Sequence, residues 1–478
     1  MATPTLLWHV SSSAMDTNAA GTVGDDYKIP APNTSLVGNC YILFLTYKHG
    51  FTPSITDTNG NTWPAASFSA DAGVNNMVMS VFVMKNIIAG LNTLTIHFGT
   101  QFAPFAYRWS EWCNIDQASP VNGGIATANV AAPNLATGSF TPTTNNDANG
   151  GNLILAYFAS ATSFQNNSNH PSLWTPGGSF TLMDADIAWF NEASAGFPQA
   201  SEQFLQATQA AINPGITATG DTTNGYNCVA VAVKASAGAA GSPRPAGIYI
   251  NKILHNSWRS NSATLKLQFP TTGNLRVIRI NHQGVDTITS ITDSDGNTYT
   301  QKTLDTTTPQ YYFAANQTAN PNCVVTINFS GNNRESARLL DISGAAVSPF
   351  DVYAGVTDTD RSGLTTLVGP TITPTTSNGL VLMSGDLAFG PGLAVTSPAG
   401  ATWDLCTYTG ETDNDDMENA DCDAHFYNPD TSALNVAYTI TNNNPNTTCS
   451  VSAIAFKAAP LSPAAVPFGV IGFASNEW

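Results

Sequence analysis

"SITDTNGNTW" (residues 54–63) recurs almost unchanged as "SITDSDGNTY" (residues 290–299). Seven of the ten positions are identical, and the other three exchange Thr for Ser, Asn for Asp and Trp for Tyr. A match of this length, half a chain apart, indicates that a domain has been duplicated.

Further blocks repeat in the same order, at offsets of about 222 to 236 residues. They pair "SEWCNIDQASPVNGG" (110–124) with "LLDISGAAVSPFDVYAG" (339–355), "FTPTTNNDANGGNLILAYFA" (140–159) with "ITPTTSNGLVLMSGDLA" (372–388), "TPGGSFTLMD" (175–184) with "SPAGATWDLC" (397–406), and "VAVAVKA" (229–235) with "VSAIAFKA" (451–458). The predicted organisation is copy 1 at 1–236, a small-residue linker at 237–246, copy 2 at 247–458 and a C-terminal docking tail at 459–478.

Short apolar or alternating segments rich in β-branched and aromatic residues fill both copies, as in "CYILFLTY" (40–47) and "TLTIHF" (93–98). Gly, Pro, Asn and Asp separate them, which is typical of strands joined by turns. The one helical candidate is "ASEQFLQATQAAI" (200–212), with a strand plus a loop as its alternative. The predicted fold is all-β, with two tandem homologous β-sandwich (jelly-roll-like) domains.

The repeated decapeptide itself predicts a two-residue β-hairpin. Asn-Gly and Asp-Gly tolerate the positive φ angles of a type I′ turn. That hairpin would place Thr58 opposite Asn61, Asp57 opposite Thr62 and Thr56 opposite Trp63. A metal loop is the alternative, but the glycine stands at the fourth position and an EF-hand needs it at the sixth.

Composition and charge exclude some partners and suggest a location. Charged residues make up only 10% of the chain, and 33 acidic against 16 basic residues give a net charge of -17. Phosphate backbones would repel such a chain, so nucleic acid is not expected. No stretch approaches the roughly 18 apolar residues of a membrane span, and the N-terminus lacks the pattern of a secretory signal. We therefore expect a virion, which is released by lysis; a leader missing from the expressed sequence is the alternative.

One metal and one disulfide hypothesis remain open. The acidic segment "ETDNDDMENADCD" (411–423) is a candidate Ca²⁺ loop, with a solvated loop as the alternative. Cys406 and Cys422 could form a disulfide across this segment. The cysteines show no metal-binding or disulfide pattern, and most are expected to be small buried residues. They are Cys40, Cys113, Cys228, Cys323, Cys406, Cys422 and Cys449.

No catalytic, cofactor-binding or metal-ligating residue is predicted, and the chain is not expected to be an enzyme. Nucleophile elbows, zinc motifs and phosphate loops are missing from the sequence. The histidines are scattered, and His97 is expected to be an ordinary sheet residue. Trp109 and Trp112 are expected on opposite faces of one strand, one in the core and one exposed, where an exposed Trp could stack on a sugar.

Six motifs follow one another along the chain in the order "T-D-x-x-G-N-T-[WY]", "VMKNIIAGLNTLTIHF", "DISGAAVSPFDV", "SNGLVLMSG", "AGATWDL", "AIAFKA". This order resembles that of β-sandwich proteins of bacteriophage structural gene clusters and of bacterial surface or secreted proteins. Copy 1 departs from it at "EWCNIDQASPVNGG", which lacks the usual "SG", and copy 2 lacks "KN" after its aromatic strand. The resemblance implies a non-enzymatic virion structural protein, such as a capsid decoration, head-fibre or tail-associated protein. Its partners would be other virion proteins and further copies of itself. The alternative is a secreted or surface adhesin or carbohydrate-binding module that binds host cell-surface glycans.

Overall fold

The computed structural model is built from β-strands. It describes residues 2–12, 26–73, 76–98, 105–161, 171–186, 198–221, 224–244, 247–259, 264–282, 287–303, 310–331, 334–358, 366–388, 394–396, 404–407, 419–441 and 449–460. Within these ranges one 3-10 helix, Asp147–Asn149, interrupts the strands. The predicted all-β class is confirmed.

The first eight strands form one sandwich, which we call unit I. They are β1 (Thr5–Ser12), β2 (Asp26–Pro30), β3 (Cys40–Lys48), β4 (Ser54–Asp57), β5 (Phe68–Asp71), β6 (Met77–Met84), β7 (Thr93–His97) and β8 (Phe105–Cys113). One sheet has the order β1-β8-β3-β6-β5, and the facing sheet has the order β2-β7-β4. This is jelly-roll order, with β5 added to the edge of the larger sheet.

Unit II repeats this order within copy 1. Its strands are β9 (Val121–Ala131), β10 (Asn134–Ala136), β11 (Asn152–Ser160), β12 (Leu173–Pro176), β13 (Thr181–Asp186), β14 (Gln199–Gln206), β15 (Gly215–Thr219) and β16 (Gly225–Lys234). The larger sheet runs β9-β16-β11-β14-β13, and the smaller runs β10-β15-β12. Each strand occupies the position of its counterpart eight strands earlier.

Units III and IV repeat the order again. Unit III comprises β17 (Tyr249–Arg259), β18 (Thr264–Gln268), β19 (Leu275–His282), β20 (Ile288–Asp293), β21 (Thr300–Lys302), β22 (Gln310–Ala315), β23 (Val324–Phe329) and β24 (Arg334–Ser343). Unit IV comprises β25 (Ala345–Asp358), β26 (Thr366–Ile372), β27 (Gly379–Ala388), β28 (Ala394–Thr396), β29 (Asp404–Thr407), β30 (Asn419–Asn428), β31 (Leu434–Thr441) and β32 (Cys449–Ala458). Their larger sheets run β17-β24-β19-β22-β21 and β25-β32-β27-β30-β29. Each predicted copy therefore contains two jelly-roll units, while the copy boundaries stay a prediction.

The continuous apolar runs of the sequence are strands covered on both faces. On β3, Leu43 and Leu45 pack in the core of unit I, towards its smaller sheet. Ile42 and Phe44 point the other way and pack against the larger sheet of unit II. A strand buried on both faces needs no polar alternation, so "CYILFL" reads as a continuous hydrophobic run.

The two copies are joined by shared sheets. β1 pairs with β17 in parallel, from His9↔Lys252 to Ser12↔His255, so units I and III form one ten-stranded sheet. β13 of unit II meets β18 of unit III through the pair Ala185↔Gln268. β2 of unit I contacts β29 of unit IV at the corresponding position. The contact of β13 with β18 and that of β2 with β29 each join the fifth strand of one unit to the second strand of another.

The predicted hairpin at the repeated decapeptide is wrong. β4 pairs with β7, and residues 60–63 do not pair back onto it. In unit III, β20 pairs with β23 while β21 pairs with β22 in the other sheet. The pairs Thr58–Asn61, Asp57–Thr62 and Thr56–Trp63 therefore do not form.

The physical reason is the aspartate side chain. Asp57 Oδ1 accepts the backbone N–H groups of Asn59 and Asn61, each at 3.1 Å. Gly60 has φ 74°, whereas Asn59 is not among the described residues with positive φ, so the turn is not type I′. The carboxylate bends the chain from the smaller sheet towards the larger one.

Two smaller expectations are also decided. Residues 199–206 form strand β14 and a loop follows, so the strand-plus-loop alternative for 200–212 is right. Trp109 and Trp112 lie on opposite faces of β8, as predicted, but both are buried. The outer face is covered by unit II, which explains why the prediction of one exposed Trp is wrong.

The described part of the chain has no helix with the length and hydropathy needed to cross a membrane.

Candidate functional site

A buried cluster of charged residues lies where units I, II and III meet. Asp184 Oδ1 accepts hydrogen bonds from Arg108 Nε at 2.8 Å and from Ser201 Oγ at 2.5 Å. Its Oδ2 accepts one from His9 Nε2 at 2.6 Å. Together with Lys252 these residues form what we call the junction cluster.

The cluster is assembled from strands that are distant in sequence. His9 and Arg108 come from β1 and β8 of unit I, and Asp184 and Ser201 come from β13 and β14 of unit II. Lys252, on β17 of unit III, is the parallel register partner of His9. Its Nζ donates to the backbone oxygens of residues 183 and 270, each at 3.1 Å. The side chains therefore hold three units together.

Opposite charges stabilise the Asp184 carboxylate in this interior. Burial raises its pKa, but the Arg108 guanidinium and then His9 outweigh burial and hold the pKa of Asp184 well below its usual range. Burial lowers the pKa of His9, although Asp184 opposes the shift. Burial also lowers the pKa of Lys252. Two buried carboxylates, Asp184 and Asp341, thus balance Arg108 and Lys252 beside an imidazole whose pKa burial lowers.

The order of the hydrogen bonds does not suit nucleophilic catalysis. An activated serine needs a histidine that takes its proton and an aspartate that orients the histidine. Here Ser201 and His9 both bind Asp184, so the carboxylate is central and the imidazole does not reach the serine hydroxyl. Asp184 is also only 1% exposed. The arrangement is suited to joining units.

The repeated turn carries a second buried charge pair in unit III. Asp293 Oδ1 accepts the backbone N–H of Asn297 at 3.0 Å, and Oδ2 accepts the Tyr299 hydroxyl at 2.7 Å. Arg276 Nη1 forms an ion pair with the same carboxylate, and both side chains are fully buried. Burial raises the pKa of Asp293, but the Asn297 and Tyr299 hydrogen bonds and Arg276 lower it by more.

This pair answers the metal hypothesis for the decapeptide. Ligand atoms of Asp293, Asp295 and Cys323 lie within 4.8 Å of one another. Arg276, however, already binds Asp293, and its Nη2 lies 3.5 Å from Asp295 Oδ2. The guanidinium supplies the positive charge that a metal ion would bring, which favours the turn interpretation.

A polar row recurs on the smaller sheets of units I and III, in which Thr56, Lys266 and Thr292 are exposed and the central Thr95 and Thr326 are half-buried. In the backbone register it runs straight across three strands as Lys, Thr and Thr. Fold requirements explain most other identities between the units, such as turn glycines and core residues, but they do not require this row. The two hydroxyl rows, as we call them, are Lys28–Thr95–Thr56 on β2, β7 and β4, and Lys266–Thr326–Thr292 on β18, β23 and β20.

Sequence reasoning missed the junction cluster, although one signal was available. Arg108 stands within "FAYRWSEWC", a strand whose nine residues are all buried. A cation inside such a strand needs a buried anion, because an unpaired charge is very costly there. The partner, 76 residues further along the chain, could not be identified from spacing.

Several predicted features lie outside the described residues. Residues 411–418 of the Ca²⁺ candidate loop are among them, and of 419–423 only the backbone in β30 is described. The side chains of Cys406 and Cys422 are also outside, so the calcium site and the disulfide stay predictions. The cysteines that are described as buried and free, in agreement with the prediction, are Cys40, Cys113, Cys228 and Cys323.

Comparison of the chain with protein-family models and with curated proteins finds no match. The resemblance to phage and bacterial surface proteins therefore stays a prediction.

Proposed function

We propose that the chain is a non-enzymatic structural protein of a virus particle that acts through protein–protein interfaces. The observation that carries the proposal is the union of units I, II and III through shared sheets, with unit IV packed against unit I through a common apolar core. Jelly rolls are a recurrent fold of viral capsid domains. Since a fold alone does not fix a function, the proposal also rests on where the charged residues are.

Charged side chains are used to build these units and to join them. The chain has only 16 basic residues, and five of them are buried in the described part: Arg108, Lys252, Arg276, Arg279 and Arg338. Arg108 and Lys252 join units, and Arg279 bonds Ser384 of unit IV. This use of basic side chains inside the protein favours a structural building block over a protein that presents charged side chains to a substrate.

The outer sheets suit contacts with other proteins. Their exposed faces carry hydroxyl and amide groups, as in the pair Thr217–Asn134 and the pair Thr371–Asn435. Such uncharged side chains add no local like-charge contact to the repulsion between copies that each carry a net charge of -17. The hydroxyl rows, one in each copy, are the interface residues we propose, with other virion proteins and further copies as partners.

A surface adhesin or carbohydrate-binding module is the second candidate. Jelly rolls also serve as lectin domains, and the hydroxyl rows could bond sugar hydroxyls. The tryptophans whose side chains the structure describes give this candidate little support, because Trp8, Trp109, Trp112 and Trp174 are buried. Trp63 stacks on Tyr41 instead of lying open. We therefore rank the structural role first.

The test is incorporation into particles. Wild-type chain should be found in many copies by quantitative mass spectrometry of purified particles. The double variant Thr95→Arg/Thr326→Arg should fold normally and reduce incorporation at least about tenfold, because it blocks both hydroxyl rows and the losses of affinity at two linked sites multiply. Thr175→Arg, on the exposed face of unit II, is the control and should leave incorporation unchanged.

Two outcomes would overturn the proposal. Wild-type protein found only as a free monomer would contradict a virion role. Glycan-array binding that the double variant abolishes and the control retains would establish the second candidate in its place.

A further inference from the structure

We propose that the junction cluster is an acid-sensitive latch, in which one proton on His9 loosens the contact between unit II and unit III while the four sandwiches stay folded. This inference goes beyond the proposed function and does not depend on it. It concerns how the two copies of the chain stay closed against each other.

Charged side chains from three strands surround His9. Arg108 faces it from β8, Lys252 from β17 and Asp184 from β13, while the neutral Ser201 comes from β14. Lys252 is balanced first by the buried Asp341 and then by Asp184, so two carboxylates already balance the two cations. His9 is only 2% exposed, so an imidazolium would be a third buried cation that water could not screen.

The neighbouring joint between β13 and β18 is small. β13 and β18 are connected by the single pair Ala185↔Gln268, adjacent in sequence to Asp184. The Gln268 amide adds two bonds to the backbone of Trp174, at 3.0 and 2.8 Å. By contrast, units I and II are held by a wide apolar core. Extra charge at the cluster should therefore open the β13–β18 joint first.

Acid should destabilise the closed state of the junction. Burial lowers the pKa of His9 from 6.5, so the open state takes up the proton before the closed state does. The closed state is then fully favoured above about pH 6.5, and it loses stability as pH falls. With one linked proton, the opening constant rises up to tenfold per pH unit, or up to about 30-fold between pH 7.5 and 5.0.

Hydrogen exchange of the full chain tests the latch. Exchange rates, corrected for intrinsic pH dependence, would be compared at pH 7.5 and 5.0 by mass spectrometry. We expect faster exchange at pH 5.0 in peptides covering β13 and β18, by up to about 30-fold, and unchanged protection of β11. His9→Gln keeps a donor to Asp184 but cannot be protonated, so it should remove the acid effect.

Two further variants make the result decisive. His49→Gln removes a histidine that pairs with Asp71 on the surface, and it should keep the full acid effect. Lys252→Met removes one cation from the cluster and should reduce the effect, which gives a readout if His9→Gln fails to fold. Equal corrected exchange of β13 and β18 at both pH values, uniform loss of protection in all units, or an acid effect that survives in His9→Gln would each overturn the proposal.

Discussion

Units I and III contain the same turn but support its aspartate in different ways. In unit I the Asp57 carboxylate accepts Trp63 Nε1 at 2.8 Å. The Trp63 ring stacks on Tyr41, with centroids 6.1 Å apart and an angle of 7° between the rings. The groups that contact Asp57 are thus uncharged, and an aromatic stack holds them in place.

Unit III uses an ion pair at the same position. Arg276 takes the place of Tyr41. In both units a Gly-Asn pair is followed by one apolar residue and then by this position, which is Tyr41 in unit I and Arg276 in unit III. Its guanidinium bonds Asp293 and, at 2.9 Å, the Tyr299 hydroxyl. Duplication therefore preserved the backbone of the turn while its support changed from aromatic packing to buried charge. The aspartate and glycine that set the backbone of the turn stayed identical, which marks the turn as scaffold.

The largest expected effect comes from removing the cation of unit III. Arg276→Met leaves the Asp293 carboxylate buried beside an apolar side chain, which should cost about 3–5 kcal/mol of unfolding free energy. The matched change in unit I, Tyr41→Phe, removes one hydroxyl and should cost about 1–2 kcal/mol. Urea denaturation, with hydrogen exchange to assign the unit affected, measures both losses.

A second substitution identifies the cause of the loss in unit III. Adding Asp293→Asn to Arg276→Met removes the uncompensated charge, so the double variant should recover part of the stability. Equal losses for Arg276→Met and Tyr41→Phe would show that the difference between the two supports has no energetic meaning.

The next effect tests a buried carboxyl that has no cation beside it. Burial raises the pKa of Glu202 to about 9, and the backbone N–H of Gly215 opposes the shift only in part. Folded protein therefore keeps this group protonated at pH 7, whereas the unfolded chain ionises near 4.5. Stability falls as pH rises from about 4.5 to 9, by about 3 kcal/mol at pH 7.

Glu202→Gln should remove this slope. We expect the variant to match the wild type near pH 4.5 and to be more stable at pH 7, by up to about 3 kcal/mol. Urea denaturation at a series of pH values measures the slope. A wild-type curve that stays parallel to that of Glu202→Gln over this range would contradict the raised pKa, and with it the view that buried carboxylates here need a cation to ionise.

The sequence was sufficient to predict the features that repeat with recognisable residues. The duplication was predicted from the nearly invariant turn at residues 54–63, and the all-β class, which the structure confirms, followed from short apolar runs. The second, internal repeat was not readable. Units I and II share little beyond a Gly-Asn before the third strand, at Gly38–Asn39 and Gly151–Asn152. Strand order can persist when almost every side chain has changed, because many apolar residues fill the same core.

Sites between units were beyond sequence reasoning for a different reason. The junction cluster joins residues 9, 108, 184 and 252, and no local spacing connects them. The hairpin prediction failed because it treated Asn-Gly as a backbone signal alone. The Asp57 side chain competes for the same N–H groups and decides the turn.

The smallest effect concerns the backbone that the two turns share. Gly60 and Gly296 have φ angles of 74° and 72°, and no atom lies within 4 Å of a Cβ built on either. Substitution by Val therefore introduces strain without a clash, which costs about 1–2 kcal/mol for a β-branched residue in the left-handed region. Because this backbone is common to both units, Gly60→Val and Gly296→Val should lose equal stability, although their surroundings differ in charge.

Asn is the matched control for each turn, since it tolerates positive φ better than Val does. Gly60→Asn and Gly296→Asn should each lose less than half of what the Val variants lose. Thermal unfolding, with exchange of β4 and β20 peptides to assign the unit, measures the four values. If Gly296→Val proves much more damaging than Gly60→Val, the Arg276 ion pair would depend on the turn geometry more tightly than the aromatic stack does. The two supports would then differ in how much backbone error they tolerate as well as in charge.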